Sequence, residues 1–349
     1  DDIEVQYSNG TNIKIDEHFE SPEHAINVVR RMLHVSGMVL DNTSPAILGH
    51  LSKNIRIAVL KTPLVDEDVG VAASIRIVNA QKLKKEDFLK SGTATDEMME
   101  LLSALVRYGV STTVAGATSS GKTTLTGWLL TTIPYDKRIL TIESGSRELD
   151  LVVRDEKNKI LNKVVHTITR ESEDDRKSIS QDDLLDMALR FHPDYIVVGE
   201  MRSSEADSAQ EAARTGHTVI TTIHSNSCES TWRRMVTLCK RKYPNVDDKV
   251  ILNLVTEAFP IVVYAKQLEN KQRRIMEIME CEICPDGTRK YHSLYQYKIT
   301  ENRMEDGKFI VKGTHEKVED ISESLQRRLL ENGMPKAELD VLMKGGKSA

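Results

Sequence analysis

"VAGATSSGKTTLTGW", residues 114–128, runs from an apolar strand-like segment through small residues into a helix that opens on a lysine and two threonines. Two glycines, Gly116 and Gly121, have four residues between them, and the second is followed at once by Lys122 and Thr123. That spacing fits a phosphate-cradling loop. The glycines let the N–H groups of Gly116, Ala117, Thr118, Ser119, Ser120 and Gly121 turn toward phosphate oxygens. Lys122 reaches the terminal phosphates, Thr123 offers a hydroxyl to Mg²⁺, and Thr124 completes the first helical turn. The loop points to a nucleoside triphosphate. It leaves open what the energy drives.

Downstream, strand and helix patterns alternate. "RILTIE" (138–143) reads as a strand. "SQDDLLDMALRFHP" reads as a helix capped by Ser180 with Asp183 three residues on, stopped at Pro193. "YIVVGE" is a third strand, "SEADSAQEAARTG" a helix with the same pattern at Ser204 and Asp207, and "TVITTIH" a β-branched fourth strand. Such alternation implies an α/β fold with a mainly parallel sheet wrapped by crossover helices. Upstream, apolar residues from Met98 to Val106 share one face of a helix that ends at Arg107–Gly109.

Further upstream, residues 1–92 read as a small α/β domain, with a helix starting at Ser21–Pro22 and strands at 54–60 and 71–78. The loop-like "KSGTATDE" marks the junction, and 93–345 form the larger domain. From 259 the texture becomes an antiparallel meander with turns at "PDG" and "EDG", then a helix with Ile321, Leu325 and Leu329 on one face. Residues 346–349 read as a tail.

In a parallel sheet, ligands bind beyond the carboxyl ends of the strands. Four strands here finish in groups suited to phosphate chemistry: the loop with Lys122, then Glu143, then Gly199–Glu200, then His224. A phosphoryl transition state spreads negative charge that Lys122, backbone amides and Mg²⁺ can match. The metal takes hard oxygens from Thr123 and a carboxylate. A second carboxylate then orients or deprotonates the attacking water. Glu143 and Glu200 are the candidates for these two roles. His217 and His224 flank the fourth strand, and His224 is the better placed to sense the γ-phosphate.

The composition narrows the classes. The chain has 349 residues, 39% hydrophobic and 29% charged, with a net charge of −5. Those values suit a soluble two-domain protein, and the longest apolar runs are too short for a bilayer. The opening "DDIEVQ" has neither an initiator methionine nor an apolar leader, as for a trimmed start or a fragment. Four cysteines suit reduced thiols in a cytosolic setting, although Cys281 and Cys284 have the spacing of half a zinc site. Basic clusters at Arg233, Arg234, Lys240–Lys242 and at Lys271, Arg273, Arg274 read as solvated helix and hairpin faces. With aromatics at only 5%, a stacking platform for single strands is not expected.

Four boxes occur in one order: "GATSSGKTTL", "LTIESGSREL", "LRFHPDYIVVGEMRSSEA" and "RTGHTVITTIHSNS". In this they resemble the secretion and type IV pilus assembly ATPase superfamily. "SPEHAINVVRRML", "SIRIV" and "ESLQRRLLENG" look most like its tight-adherence (CpaF-type) branch, near the conjugative type IV secretion ATPases. The likeness spans nearly the whole chain.

The resemblance implies a RecA-like ATPase domain behind a smaller α/β domain, in a cytoplasmic homohexamer that hydrolyses ATP at the inner face of the membrane. Such a ring drives an inner-membrane platform that builds a pilus or exports protein. By position, Lys122 and Thr123 serve nucleotide and metal. Glu143 resembles the acidic-box carboxylate given the catalytic water, and Glu200 the Walker B glutamate that holds Mg²⁺. His217 and His224 match the histidine-box pair. Arg56 and Arg76 lie where relatives supply a cation to the site, Arg76 being preferred, with Arg170 and Arg202 as further candidates. The chain departs from the pattern at Ser144, where relatives commonly carry an aspartate, and in the long charged stretch 154–178. The alternatives are a nucleic-acid translocase or helicase on a similar ring core, a small-molecule kinase, and a nucleotide-binding scaffold without turnover. Nucleic acid is not expected as a partner.

Overall fold

The computed structural model describes residues 3–7, 11–52, 55–77, 83–145, 147–170 and 177–344. The expected tail at 346–349 lies outside them. The chain divides into two compact units, Asp1–Gln81 with Ser144–Glu148, and Lys82–Glu143 with Leu149–Ala349. The division comes ahead of the expected junction at 92, because Phe88 of the short helix Lys85–Lys90 is buried in the second unit's core.

The first unit holds a hairpin of β1 (Ile3–Gln6) and β2 (Asn12–Ile15), helix α1 (Pro22–Val35), and an antiparallel sheet of β3 (Ala46–Ser52), β4 (Ile55–Lys61) and β5 (Val71–Ile77). As expected, α1 starts with Ser21, whose side chain accepts from the His24 N–H, and with Pro22 in its first turn. It buries Val29 and Leu33 against Ile57 and Val59 of β4. Three strands of this unit, β1 to β3, are not among the expected elements: β1 and β2 alternate but are only four residues long each, and β3 does not keep the alternation.

The second unit is built on a nine-stranded sheet. In chain order its helices are α2 (Lys85–Lys90), α3 (Asp96–Arg107), α4 (Lys122–Thr131), α5 (Gln181–Ala188), α6 (Glu205–Arg214), α7 (Cys228–Cys239), α8 (Asp248–Ala258), α9 (Glu323–Glu331) and α10 (Lys336–Met343). Its strands are β6 (Thr112–Ala115), β7 (Arg138–Glu143), β8 (Lys163–Ile168), β9 (Tyr195–Met201), β10 (Thr218–Ile223), β11 (Ile261–Gln267), β12 (Arg273–Ile283), β13 (Arg289–Glu305) and β14 (Lys308–Lys317).

The spatial order is β14-β13-β12-β11-β6-β10-β9-β7-β8. From β11 to β8 every neighbouring pair is parallel, and β11 to β14 form the expected antiparallel meander. Strands β6 and β10 are buried along their whole length. Both of their faces are covered, which is why they read as unbroken β-branched runs. Alternate residues face two cores. Tyr195 and Val197 point to the side of α3 and α4, and Ile196 and Val198 to the side of α5 to α8.

The capping box expected at Ser180 and Asp183 is present. The one expected at Ser204 and Asp207 is not, because the Ser204 hydroxyl donates to Asp182. Glu205 instead accepts from the N–H groups of Arg202 and Ser203.

The meander carries a charge cluster that makes stability depend on pH. His292 is buried between Glu319 at 2.7 Å from Nδ1 and Glu282 at 2.8 Å from Nε2. Buried Glu280 accepts from the N–H and hydroxyl of Ser322, which caps α9. Burial pulls the His292 pKa down, but the hydrogen bonds to Glu282 and Glu319 outweigh it and the net shift is upward. Glu282 is held below its ordinary value, first by its bond to His292. A raised imidazole stabilises the fold fully below its unfolded pKa and stops doing so as pH rises through the folded value. A lowered carboxyl does the reverse as pH falls. The melting temperature is therefore expected to peak at mildly acidic pH and to drop by about 2–4 °C on the alkaline side. Thermal melts of His292→Gln across pH should lack that alkaline slope.

Candidate functional site

The four strands that the sequence ends in polar groups are consecutive in the sheet: β6, β10, β9, β7. They are parallel, so their carboxyl ends lie on one edge. The phosphate loop leaves β6 next to the end of β10, where the Gly116 N–H donates to the Ile223 carbonyl at 3.2 Å. Gly116 has no room for a side chain, since a Cβ there would lie 2.3 Å from the carbonyl oxygen of Ala265 on β11. Ser119 (φ 63°) and Gly121 (φ 93°) are both left-handed, a backbone that turns successive N–H groups inward as a nest. Gly121 also starts α4 with no side-chain cap, which leaves the first-turn N–H groups of that helix to a ligand.

Lys122 is 8% exposed and donates from Nζ to the carbonyls of Gly116 and Ala117, each at 2.9 Å. Thr123 is half-buried in the first turn of α4, and Thr124 and the loop residues Ala117, Thr118 and Ser119 are exposed. Ser120 is buried, and its hydroxyl has no hydrogen-bond partner among the described residues.

A β-bulge separates Val198 from Met201 in the pairing of β9 with β10, where three steps on β9 oppose two on β10. The extra residue falls at Gly199–Glu200 and re-aims the glutamate, a common device beside active sites. Glu200 then sits between two bases, with His224 Nε2 at 2.9 Å from one oxygen and Arg202 on the other. The pKa of His224 is lowered, by burial first and then by the charge of Lys122, with Glu200 opposing. At neutral pH the ring is therefore uncharged, and it lies beside Glu200 Oε1 without hydrogen-bond geometry to it.

Glu143 ends β7, only 3% exposed, and accepts the Leu149 N–H at 3.0 Å. Gly199 backs it, since a Cβ there would lie 3.3 Å from the Glu143 Cγ. That contact is the local reason for the glycine before Glu200.

The geometry separates the two histidines. His224 follows the carboxyl end of β10, while His217 precedes its amino end, with its N–H bonded to Ala212 of α6. The six residues of β10 between them put the two about 20 Å apart. The two histidines of the expected pair thus stand at opposite ends of β10. Arg170 pairs through its backbone with Ile179, just past the carboxyl end of β8, where the Thr169 N–H donates to the Glu143 carbonyl at 2.9 Å.

In the first unit, Arg56 and Arg76 fall into direct cross-strand register on β4 and β5, with His50 opposite Arg56 on β3. Arg56 bonds Glu148 at 2.7 Å and the Ser144 carbonyl at 2.8 Å. Ser144, the departure from the acidic-box pattern, thus serves through its backbone. Arg76 is exposed and makes no ion pair among the described residues.

The basic clusters are mostly paired locally: Arg233 with Glu229, Lys240 with Asp248, Lys242 with Asp207, and Arg241 with the Ser203 hydroxyl. Arg274 is not the solvated side chain the sequence suggests. It is buried and donates to the Ser91 carbonyl at 2.9 Å. Neighbouring Arg273 reaches the phosphate loop, a contact across 154 residues for which the sequence holds no local pattern.

The donor set fits a Mg-nucleotide. It combines a loop of inward N–H groups, a lysine, a threonine hydroxyl at the helix start and two strand-end carboxylates. No three His, Cys, Asp or Glu side chains among the described residues could hold a metal by themselves. A hard cation here would share its oxygens with phosphate, as Mg²⁺ does. Cys281 and Cys284 form no zinc cluster among the described residues, and Cys281 is buried with its thiol pKa pushed up to about 11, mainly by burial. No helix of the described residues is long and apolar enough to cross a membrane.

The sequence profile described as "Type II/IV secretion system protein" matches residues 45–343. An uncharacterised protein of Methanocaldococcus jannaschii is 29% identical over 272 residues, 78% of this chain and 46% of its own length. The conjugal transfer protein TrbB of Rhizobium radiobacter is 26% identical over 75% of this chain and 76% of its own. The solved Legionella pneumophila ATPase DotB superposes with a TM-score of 0.52 at 21% identity, covering 98% of this chain and 82% of that one. It shows the shared fold. The chain spans about half the length of the first curated relatives it matches, at 46% and 52%.

Proposed function

The chain belongs to the type II/IV secretion system protein family, and we propose that it is a Mg-dependent ATPase subunit of a ring that powers pilus assembly or protein secretion. One observation carries this reading. Four neighbouring parallel strands deliver the phosphate loop, His224, Glu200 and Glu143 to a single edge. The relatives named as a type IV secretion system protein and a conjugal transfer protein support it.

In this reading Lys122 leaves the carbonyls of Gly116 and Ala117 and takes the terminal phosphates of ATP. Ser120, with its buried and unmatched hydroxyl, lines the same cradle. Thr123 and Glu200 would hold Mg²⁺. Bound there, the metal neutralises charge on the phosphates. Arg202 fixes the Glu200 carboxylate, with His224 packed beside it, so it does not swing toward the phosphates. Glu143, backed by Gly199, orients and deprotonates the attacking water. Arg76, from a neighbouring subunit, meets the charge that develops on the transferred group, as an arginine finger does.

The ring would be a homohexamer at the cytoplasmic face of the inner membrane, docked on a platform protein. The experiment is an ATPase assay of the purified chain with and without single-stranded DNA, paired with mass measurement in solution. Mg-dependent turnover indifferent to DNA, from a six-fold assembly, is the expected result. Strong stimulation by DNA would favour a translocase, and phosphate transfer to an added acceptor a kinase.

A further inference from the structure

Beside the phosphate loop runs a hairpin, β11 and β12, that the reading above leaves without a role. Its first β12 residue, Arg273, donates from Nε to the carbonyl of Ser119 at 2.9 Å. The stem of Arg273 crosses the loop, since a Cβ on Gly121 would lie 3.1 Å from the Arg273 Cδ. The glycine before Lys122 is thus needed for its left-handed backbone and for the passage of this side chain.

The arginine is delivered from a fixed base. Arg274 donates to the carbonyl of Arg273 at 2.8 Å and to that of Ser91 at 2.9 Å, and its guanidinium lies 5.6 Å from the Tyr297 ring centre. Next along β12, the Ile275 N–H donates to the Thr93 carbonyl at 2.9 Å. Below the hairpin turn, buried Leu268 packs with Tyr297 and Val311.

We propose that Arg273 is a positioning residue for the phosphate site, holding the loop in its binding conformation from outside. The proposal rests on the ATP-binding reading and deepens it. A loop whose N–H groups converge on an anion must turn carbonyls away from it. Ser119 does so in a left-handed conformation that a serine keeps only where its surroundings fix it. Arg273 supplies the donor that its outward carbonyl needs. With the loop held ready, less ordering remains to be done when nucleotide arrives.

Arg273 therefore acts on affinity more than on the chemical step. The test is calorimetric titration of ADP into the wild type, Arg273→Met, Arg273→Lys and Lys122→Ala, with KM and kcat for ATP and a thermal melt of each. Methionine keeps the stem over Gly121 and removes the donor. It is expected to weaken ADP about tenfold and raise KM for ATP similarly, with kcat within about twofold and the melt unchanged. Lysine, with a donor but no planar fork, should recover part of the loss. Wild-type ADP affinity in Arg273→Met overturns the proposal. So does a fall in kcat with KM unchanged, or an affinity loss in Arg273→Met that Arg273→Lys does not recover in part. The loop reading itself fails separately, if the wild type takes no ADP or Lys122→Ala binds it as tightly.

Discussion

Replacing Glu143 with glutamine is expected to cut steady-state ATP hydrolysis by about a hundredfold or more while leaving ATP bound as tightly as before. The side chain is closed in: 3% exposed, with one oxygen accepting the Leu149 N–H at 3.0 Å and its Cγ against the Gly199 backbone. Glutamine has the same shape and keeps an acceptor for Leu149. The fold and the cradle at Lys122 are therefore undisturbed, and what is lost is a carboxylate able to take a proton from water. General bases contribute about 10²–10⁴ in rate, so the defect should lie in kcat. Phosphate release measured beside nucleotide binding decides it. Full turnover in this variant would move the base to Glu200 or to no residue of the edge. Loss of binding instead would make Glu143 part of the cradle.

The contrast with Glu200 sharpens that expectation. Glu200 is paired with Arg202 on one oxygen and has the uncharged His224 ring beside the other. A carboxylate already paired with an arginine is suited to staying ionised and poorly suited to carrying a proton away.

Much of this edge was legible because each strand is buried on both faces and ends in one polar residue. "TVITTIH" and "YIVVGE" therefore stand out from their surroundings. Other elements escaped for physical reasons. Strand β8 is an edge strand with only half-buried and exposed residues, so "KVVHTI" merges into the charged stretch around it. Helix α7 carries Cys228, Trp232, Met235 and Cys239 on one buried face behind a Ser227 cap, a legible pattern masked by its basic residues. The separation of His217 from His224 follows only once the intervening strand is straight. Arg273 could not be found locally at all, because its partner Ser119 is 154 residues away and meets it only through sheet order.

Changing Arg76 to alanine is expected to slow hydrolysis in the assembled ring by about a thousandfold, the scale of an arginine finger, with little change in the ADP affinity of an isolated subunit. The register on the first unit's sheet singles this residue out. His50, Arg56 and Arg76 stand in one cross-strand row, and like charges placed directly opposite destabilise a sheet. Arg56 offsets that cost by bonding Glu148 and the Ser144 carbonyl. Exposed Arg76 has no such ion pair among the described residues, so its charge is available to an anion brought from outside the unit. A surface arginine of no function would tolerate alanine within about 0.5 kcal/mol of stability and without kinetic effect. Mixing separates action across subunits from action within one. Arg76→Ala subunits keep an intact phosphate loop, and Lys122→Ala subunits keep Arg76. If the arginine works in trans, rings formed from both should hydrolyse ATP faster than either variant alone. If mixed rings stay as slow as their components while Arg76→Ala alone is impaired, the arginine serves its own subunit. Wild-type turnover in Arg76→Ala rings would leave the charge at that position to solvation alone.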